Sequence, residues 1–146
     1  MSLLKLPSNK ILAVHLQHCV DVRNATSGEV NMSSASNITW ECQLRKKSFP
    51  VSPSVWIQGI VVNFQNPGST ALIDDGTGII VLPNCDSIAS KIAIKKGMYV
   101  MAVGALQSGG PHPVIKPIKL QDLSDDVQAE TMWPLEVFDQ IKYLNG

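Results

Sequence analysis

The chain has little of what would give it an obvious chemistry. Aromatic residues make up 5% of its 146 residues and charged residues 16%. Twelve basic and twelve acidic side chains cancel, so no net positive field draws it toward nucleic acid or anionic lipid. Cys19, Cys42 and Cys85 are scattered and lack a CxxC spacing. That argues against a zinc module and a disulfide framework, and for buried or half-buried thiols in a reducing compartment. No run approaches the roughly 18 apolar residues of a membrane span. The opening MSLLKLPSNK has neither the apolar core nor the cleavage-like end of a secretory signal. An intracellular, soluble protein is expected. Histidine is scarce too: beyond Cys19, neither His15 nor His18 has a cysteine or carboxylate at ligand spacing. The pairs Asp74/Asp75 and Asp125/Asp126 are adjacent in sequence. Neighbours on an extended chain point to opposite sides, which does not suit paired acid–base work. The expectation is no enzyme, no cofactor and no metal.

What is present is apolar. Hydrophobic residues reach 45%, which with so few charges fits a surface partly covered by a partner. By length the chain is one domain, 1–146. KILAVHLQH alternates from Lys10 to His18 and reads as a strand, although a short helix also fits. Residues 21–37, rich in Asn, Ser and Gly, form a flexible loop. ITWECQLR alternates as a half-buried strand, and the prolines of KKSFPVSPS break it. VWIQGIVVNF and MYVMAVGALQ are long strands with mid-strand glycines, Gly59 and Gly104, where bulges or bends are expected. TALID and IIVLP are strands, DSIASKIA a short helix capped by Asp86, and VIKPIKLQDL a further strand. This order predicts an all-β chain: a single OB-fold, a five-stranded Greek-key barrel. It carries an extra N-terminal strand pair, a short helix between strands 3 and 4, and a C-terminal α-helix. The barrel spans about 38–124 and the helix about 130–144.

IDDGTGIIVLP, residues 73–83, raises the question of a phosphate loop. A Walker loop needs a lysine and a following helix, and a dinucleotide loop needs GxGxxG opening a helix. Here Gly78 opens a β-branched run, and Asp74 and Asp75 would repel phosphate. Asp75–Gly76 is instead a favoured hairpin pair. Single-strand binding by OB-folds uses stacking aromatics and a basic groove. Strands 2 and 3 offer no aromatic, Lys or Arg, while Trp56, Phe64 and Tyr99 read as core residues. Weak or no direct nucleic-acid binding is expected. The segment ETMWPLEVFDQIKYLNG reads as a helix capped by Thr131, with Pro134 in its first turn. Trp133, Val137, Ile141 and Leu144 form one stripe, and Leu135 and Phe138 lie beside it. That is more apolar surface than a helix needs to cover its own barrel, so it is expected to serve a second protein as well.

VWIQGIVV, YVMAVGALQ and KLQDLSDDVQAETMWPLEV resemble the RecQ-mediated genome instability protein 2 family. The pattern K-x-x-D-L-S-D, four residues, E-x-x-W-x-L-E-V is met from Lys119 to Val137. The resemblance implies a small OB-fold subunit that pairs with the larger RecQ-mediated genome instability subunit. The pair joins topoisomerase III and a RecQ-family (Bloom-type) helicase in the nucleus, where the assembly dissolves double Holliday junctions in homologous recombination and DNA repair. A Fanconi anaemia group M-type remodeller belongs to the same set of partners. It carries partner-docking roles onto Lys10, Lys119 and Trp133; Val137, Ile141 and Leu144 join them from the helix stripe. A further family lysine falls at Met98. The alternative is a small OB subunit of a replication protein A-like or telomere-capping complex. Direct single-strand binding through loops such as KKG at 95–97 is a third reading.

Overall fold

The computed structural model describes residues 9–21, 40–45, 47–65, 69–85 and 93–144, the side chains of residues 143 and 144 lying outside the description. In chain order the elements are β1 (Asn9–Lys10), α1 (Ala13–Leu16), β2 (Cys19–Asp21), β3 (Trp40–Gln43) and β4 (Ser48–Val51). Then come β5 (Ser54–Gln65), β6 (Thr70–Asp74), β7 (Ile79–Leu82), β8 (Tyr99–Ser108), β9 (Val114–Asp122) and the helix Ala129–Leu144, here α2.

The long strand β5 closes the architecture. Its first half pairs antiparallel with β8 from Ser54 to Ile60, and its second half pairs with β6 from Ile60 to Gln65. β6 pairs with β7, β7 runs parallel to β9, and β9 pairs antiparallel with β8. The five strands therefore form a ring in the order β5–β6–β7–β9–β8 and back to β5, an OB-type barrel without a free edge among these strands. Alternation fills it: Val55, Ile57, Val61, Ile73, Ile80, Leu82, Val100, Ala102 and Ile115 are buried in one cluster. The register of β8 shifts between Val103 and Gly104, as the mid-strand glycine leads one to expect. A Cβ at Gly104 would sit 2.1 Å from the Lys116 carbonyl oxygen, so only glycine lets β9 come this close. On β5 the shift falls between Val61 and Asn63, two residues past the expected bend at Gly59.

Two sequence expectations are corrected at the N-terminal end. Residues 10–18 are not one strand: β1 adds parallel to β5, and α1 intervenes before β2. KKSFPVSPS is not simply a break, since Ser48–Val51 forms β4 at the edge of a three-stranded sheet, β2–β3–β4. Pro50 is tolerated there because an edge strand has one side that needs no ladder donor. This sheet contributes Trp40, Cys42, Phe49 and Val51 to the barrel core. Residues 86–92 of the helix expected over 86–93 and residues 22–37 of the loop expected at 21–37 lie outside the described residues, while Asp21 ends β2. Among the described residues no helix is long and apolar enough to cross a membrane.

Candidate protein-docking site

The DDGTG turn is a hairpin between β6 and β7, and its polar groups point inward to the protein's own chain. Gly76 has φ of 91°, a conformation open to glycine. Asp74 Oδ1 accepts from Gly76 N at 2.8 Å, and Asp75 Oδ1 accepts from Thr77 N at 2.8 Å. Asp75 Oδ2 accepts from Ala13 N at 2.6 Å, and Thr77 Oγ1 accepts from Val14 N at 3.0 Å. A phosphate cradle presents free N–H donors, whereas here carboxylates take the turn's amides and cap α1. A Cβ at Gly78 would meet Gln17 Nε2 at 2.6 Å, so the second glycine makes room for that helix. The turn is an internal clip.

This clip explains why residues 13–16 are helical despite an alternating pattern. Leu12 N donates to His15 Nδ1 at 3.3 Å, and the next two amides are capped from the distant turn. Burial holds the His15 pKa below its usual value; Asp75 pulls it up and His18 presses it further down.

The outer face of the barrel carries the candidate site. Lys10 lies across from Trp56, Trp56 from Val103, and Val103 from Lys119. Residues directly opposite on neighbouring strands share one face, so the two expected docking lysines flank Trp56 in one row. With strands spaced about 4.8 Å apart, Lys119 stands roughly 10 Å from Trp56. α2 lies against this face. Trp133 stacks on Trp56, ring centroids 6.1 Å apart and planes inclined 29°. Lys10 Nζ sits 4.8 Å from the Trp56 ring centroid and 2.8 Å from Glu136 Oε1. The Lys10 backbone N–H donates to Gln140 Oε1 at 2.5 Å. Leu12, Trp133 and Val137 form a buried cluster, with Trp56 and Ile141 packed against it. Trp56 therefore belongs to the helix seam rather than to the barrel interior where the sequence reading put it.

Of the six residues expected to dock a partner, Lys10, Trp133, Val137 and Ile141 are brought together here. Lys119 shares their face and is exposed. The Leu144 side chain lies outside the described residues. The seam turns the expected stripe toward the protein's own barrel: Trp133 is 1% exposed and Val137 0%. The helix also begins earlier than expected. Asp126 rather than Thr131 caps it, its Oδ1 accepting from Gln128 N at 3.1 Å and its carbonyl from Ala129 N at 3.2 Å. Pro134 consequently sits in the second turn.

On the other side of α2, Met132, Leu135 and Phe138 are 43%, 59% and 54% exposed. At about 100° per residue they lie opposite Ala129, Trp133 and Val137. Leu135 and Phe138 were legible as surplus apolar surface; Met132 was not singled out, although its i, i+3, i+6 spacing with them is visible. Phe138 meets His15 edge-on at 6.4 Å, which ties this face to α1. A cleft of about 310 Å³ is lined by Lys10, Glu136, Asp139 and Gln140. A smaller hollow of about 150 Å³ lies between the DDGTG turn and the helix, lined by Asp74, Asp75, Tyr99, Glu130 and Trp133 among others. Burial pushes the Tyr99 phenol up to about 12. The buried indole N–H groups of Trp56 and Trp133 have no hydrogen-bond partner among the described residues. No three His, Cys, Asp or Glu side chains among those residues converge to hold a metal ion.

A family model described as RecQ-mediated genome instability protein 2 matches residues 7–141. The chain belongs to that family. The RecQ-mediated genome instability protein 2 of Gallus gallus is 34% identical over 86 residues, 58% of this chain and 63% of that protein. The Mus musculus protein of the same name is 33% identical over 87 residues, 59% of this chain and 57% of that protein. The chain thus matches about three fifths of the length of these relatives. Among solved structures it is similar to a chain of the S. pombe Stn1–Ten1 complex, with TM-score 0.64 at 14% identity, covering 95% of this chain and 94% of that one. It is also similar to a chain of a replication protein A heterotrimer bound to ssDNA, with TM-score 0.52 at 16% identity, covering 79% and 94%. These likenesses establish the OB-fold.

Proposed function

We propose that the chain is a non-catalytic OB-fold subunit that pairs with the larger RecQ-mediated genome instability subunit. In the nucleus this pair helps assemble topoisomerase III and a RecQ-family (Bloom-type) helicase, and the assembly dissolves double Holliday junctions during homologous recombination and DNA repair. The observation that carries the reading is the stripe of Met132, Leu135 and Phe138, apolar and open on the side of α2 that its own barrel does not cover. Water-exposed apolar side chains aligned along one helix face gain most from a partner helix or groove laid against them. Membership of the family supports the larger genome instability subunit as that partner. The exposed Lys119, beside the Lys10–Trp56 pair, offers a second, cationic contact for a Fanconi anaemia group M-type remodeller. Direct nucleic-acid binding is weak or absent in this reading: β6 and β7 carry no aromatic and no cation.

Affinity purification from native extract, followed by mass spectrometry, tests it. Recovery of a larger OB subunit together with topoisomerase III supports the assignment. Recovery of replication or telomere-capping factors instead would replace it with the alternative OB-subunit role.

A further inference from the structure

Cys19 on β2 and Cys42 on β3 stand directly opposite each other in an antiparallel ladder. One step along, Gln43 N donates to His18 O at 2.9 Å, which marks that pair as hydrogen-bonded. Hydrogen-bonded and open pairs alternate along such a ladder, so Cys19 and Cys42 occupy an open pair. Cα atoms there approach to about 4.5 Å, within the roughly 4.4–6.8 Å a disulfide spans. The side chains converge as well: both sulfurs lie within hydrogen-bond reach of the carbonyl oxygen of His15, Cys19 Sγ at 3.5 Å and Cys42 Sγ at 3.3 Å. Both are buried, but β2 is an edge strand of its sheet. Cys85 is occupied elsewhere, donating to Leu82 O at 3.2 Å.

We propose that Cys19 and Cys42 form a reversible dithiol–disulfide couple, closed by a peroxide and reopened by a thiol reductant. The bridge staples β2 to β3 and makes the chain from Val20 to Glu41 a covalent ring. Cys42 is the more acidic partner, because the hydrogen bond from the Cys19 thiol stabilises its thiolate. The same bond, then burial, pushes the Cys19 thiol up. The Cys42 sulfur attacks the peroxide O–O bond, takes one oxygen as a sulfenic acid and releases water from hydrogen peroxide. The Cys19 sulfur then attacks the oxidised sulfur, forms the S–S bond and expels a second water. Two thiols lose two hydrogens and two electrons, and the peroxide gains them.

The folded full-length chain is treated with stoichiometric hydrogen peroxide, unfolded with an alkylating agent and digested with trypsin without reduction. Cuts after Lys10, Arg23, Arg45, Lys47 and Lys91 separate the three cysteines onto peptides 11–23, 24–45 and 48–91. The expected product joins 11–23 to 24–45 with loss of two hydrogens, while Cys85 is recovered alkylated. Dithiothreitol abolishes the product, Cys85→Ser retains it, and peroxide treatment in urea loses the preference for this pair. Bridges that include Cys85, bridges between chains, sulfinic acids without the bridge, or three unreacted thiols would each overturn the proposal.

Discussion

Trp133→Ala removes the side chain that holds α2 to the barrel, and the size of the effect can be worked from its surroundings. The residue is 1% exposed and stacks on Trp56. Truncating a buried tryptophan costs about 3–5 kcal/mol, of which a stacked aromatic pair represents about 0.5–1.5 kcal/mol. One term opposes this. The indole N–H is buried without a partner among the described residues, and an orphaned donor costs about 1–3 kcal/mol that its removal returns. A net loss of about 2 kcal/mol is expected for alanine. Trp133→Phe keeps most of the ring and sheds the orphan donor, so it should fall within about 1 kcal/mol of the parent. The loss should also be local, because the Leu12–Trp133–Val137 cluster is distinct from the barrel core. Native-state hydrogen exchange reads this directly. Alanine should speed α2 amide exchange about thirtyfold, at 1.4 kcal/mol per decade, while amides of β5 and β8 stay protected. Unchanged exchange in α2, or phenylalanine as damaging as alanine, would refute the packing argument.

Leu135→Glu with Phe138→Glu should cost no more than about 1.5 kcal/mol in urea unfolding, the edge-on Phe138–His15 contact being the part that is lost. Calorimetry should nevertheless show affinity for the larger subunit falling by at least about 30-fold, the scale of an interface hot spot; unaltered affinity would remove this face from the interface. Asp75→Ala takes the cap from Ala13 N and the brace from Thr77, at a cost of about 1–2 kcal/mol in urea unfolding; no change would show that the clip is idle. Since His15 has a lowered pKa when folded, the unfolded chain binds its proton first. The stability it contributes is therefore complete above about pH 6.5 and is lost as pH falls through the folded value, by at most about 1.4 kcal/mol per pH unit. His15→Gln should flatten that slope in pH-dependent urea melts, and a slope that persists would assign it to other groups. Gly104→Ala would force a Cβ to 2.1 Å from Lys116 O, beyond the usual overpacking cost of about 1–3 kcal/mol; circular dichroism should show loss of the fold, and a native spectrum would overturn the close-approach reading.

Legibility followed how local each determinant is. β5, β8 and β9 announce themselves by alternation and β-branched residues, and Gly104 marks the bulge because the partner strand leaves no room for a Cβ. α1 could not be settled that way. Ala13–Leu16 alternates like a strand, and its helical form depends on caps from Asp75 and Thr77, some sixty residues away. β4 was hidden by Pro50, which looks like a breaker until the strand is known to be an edge. The start of α2 was misplaced because Asp126 lies in a run of acidic residues where no single one stands out as a cap. The helix's two apolar faces were countable in sequence, but not which of them turns inward. That choice depends on Trp56, which pattern alone had assigned to the barrel core, and on Leu12.

The inward choice has a consequence for the outward face. Trp133 and Val137 lock α2 to β5, the Gln140 side chain takes the Lys10 amide, and Phe138 rests against His15. The stripe of Met132, Leu135 and Phe138 is thus held in place by residues from both ends of the chain before any partner arrives. A surface ordered in advance avoids the side-chain and backbone ordering that otherwise weakens association. The Lys10–Glu136 ion pair adds little by itself, being partly exposed and screened, but it sits where Lys10 can cover Trp56 and leave Lys119 open. On the proposed reading Trp133 and Val137, expected to touch a partner, instead orient the helix, and the contact falls to Met132, Leu135 and Phe138 on its opposite side.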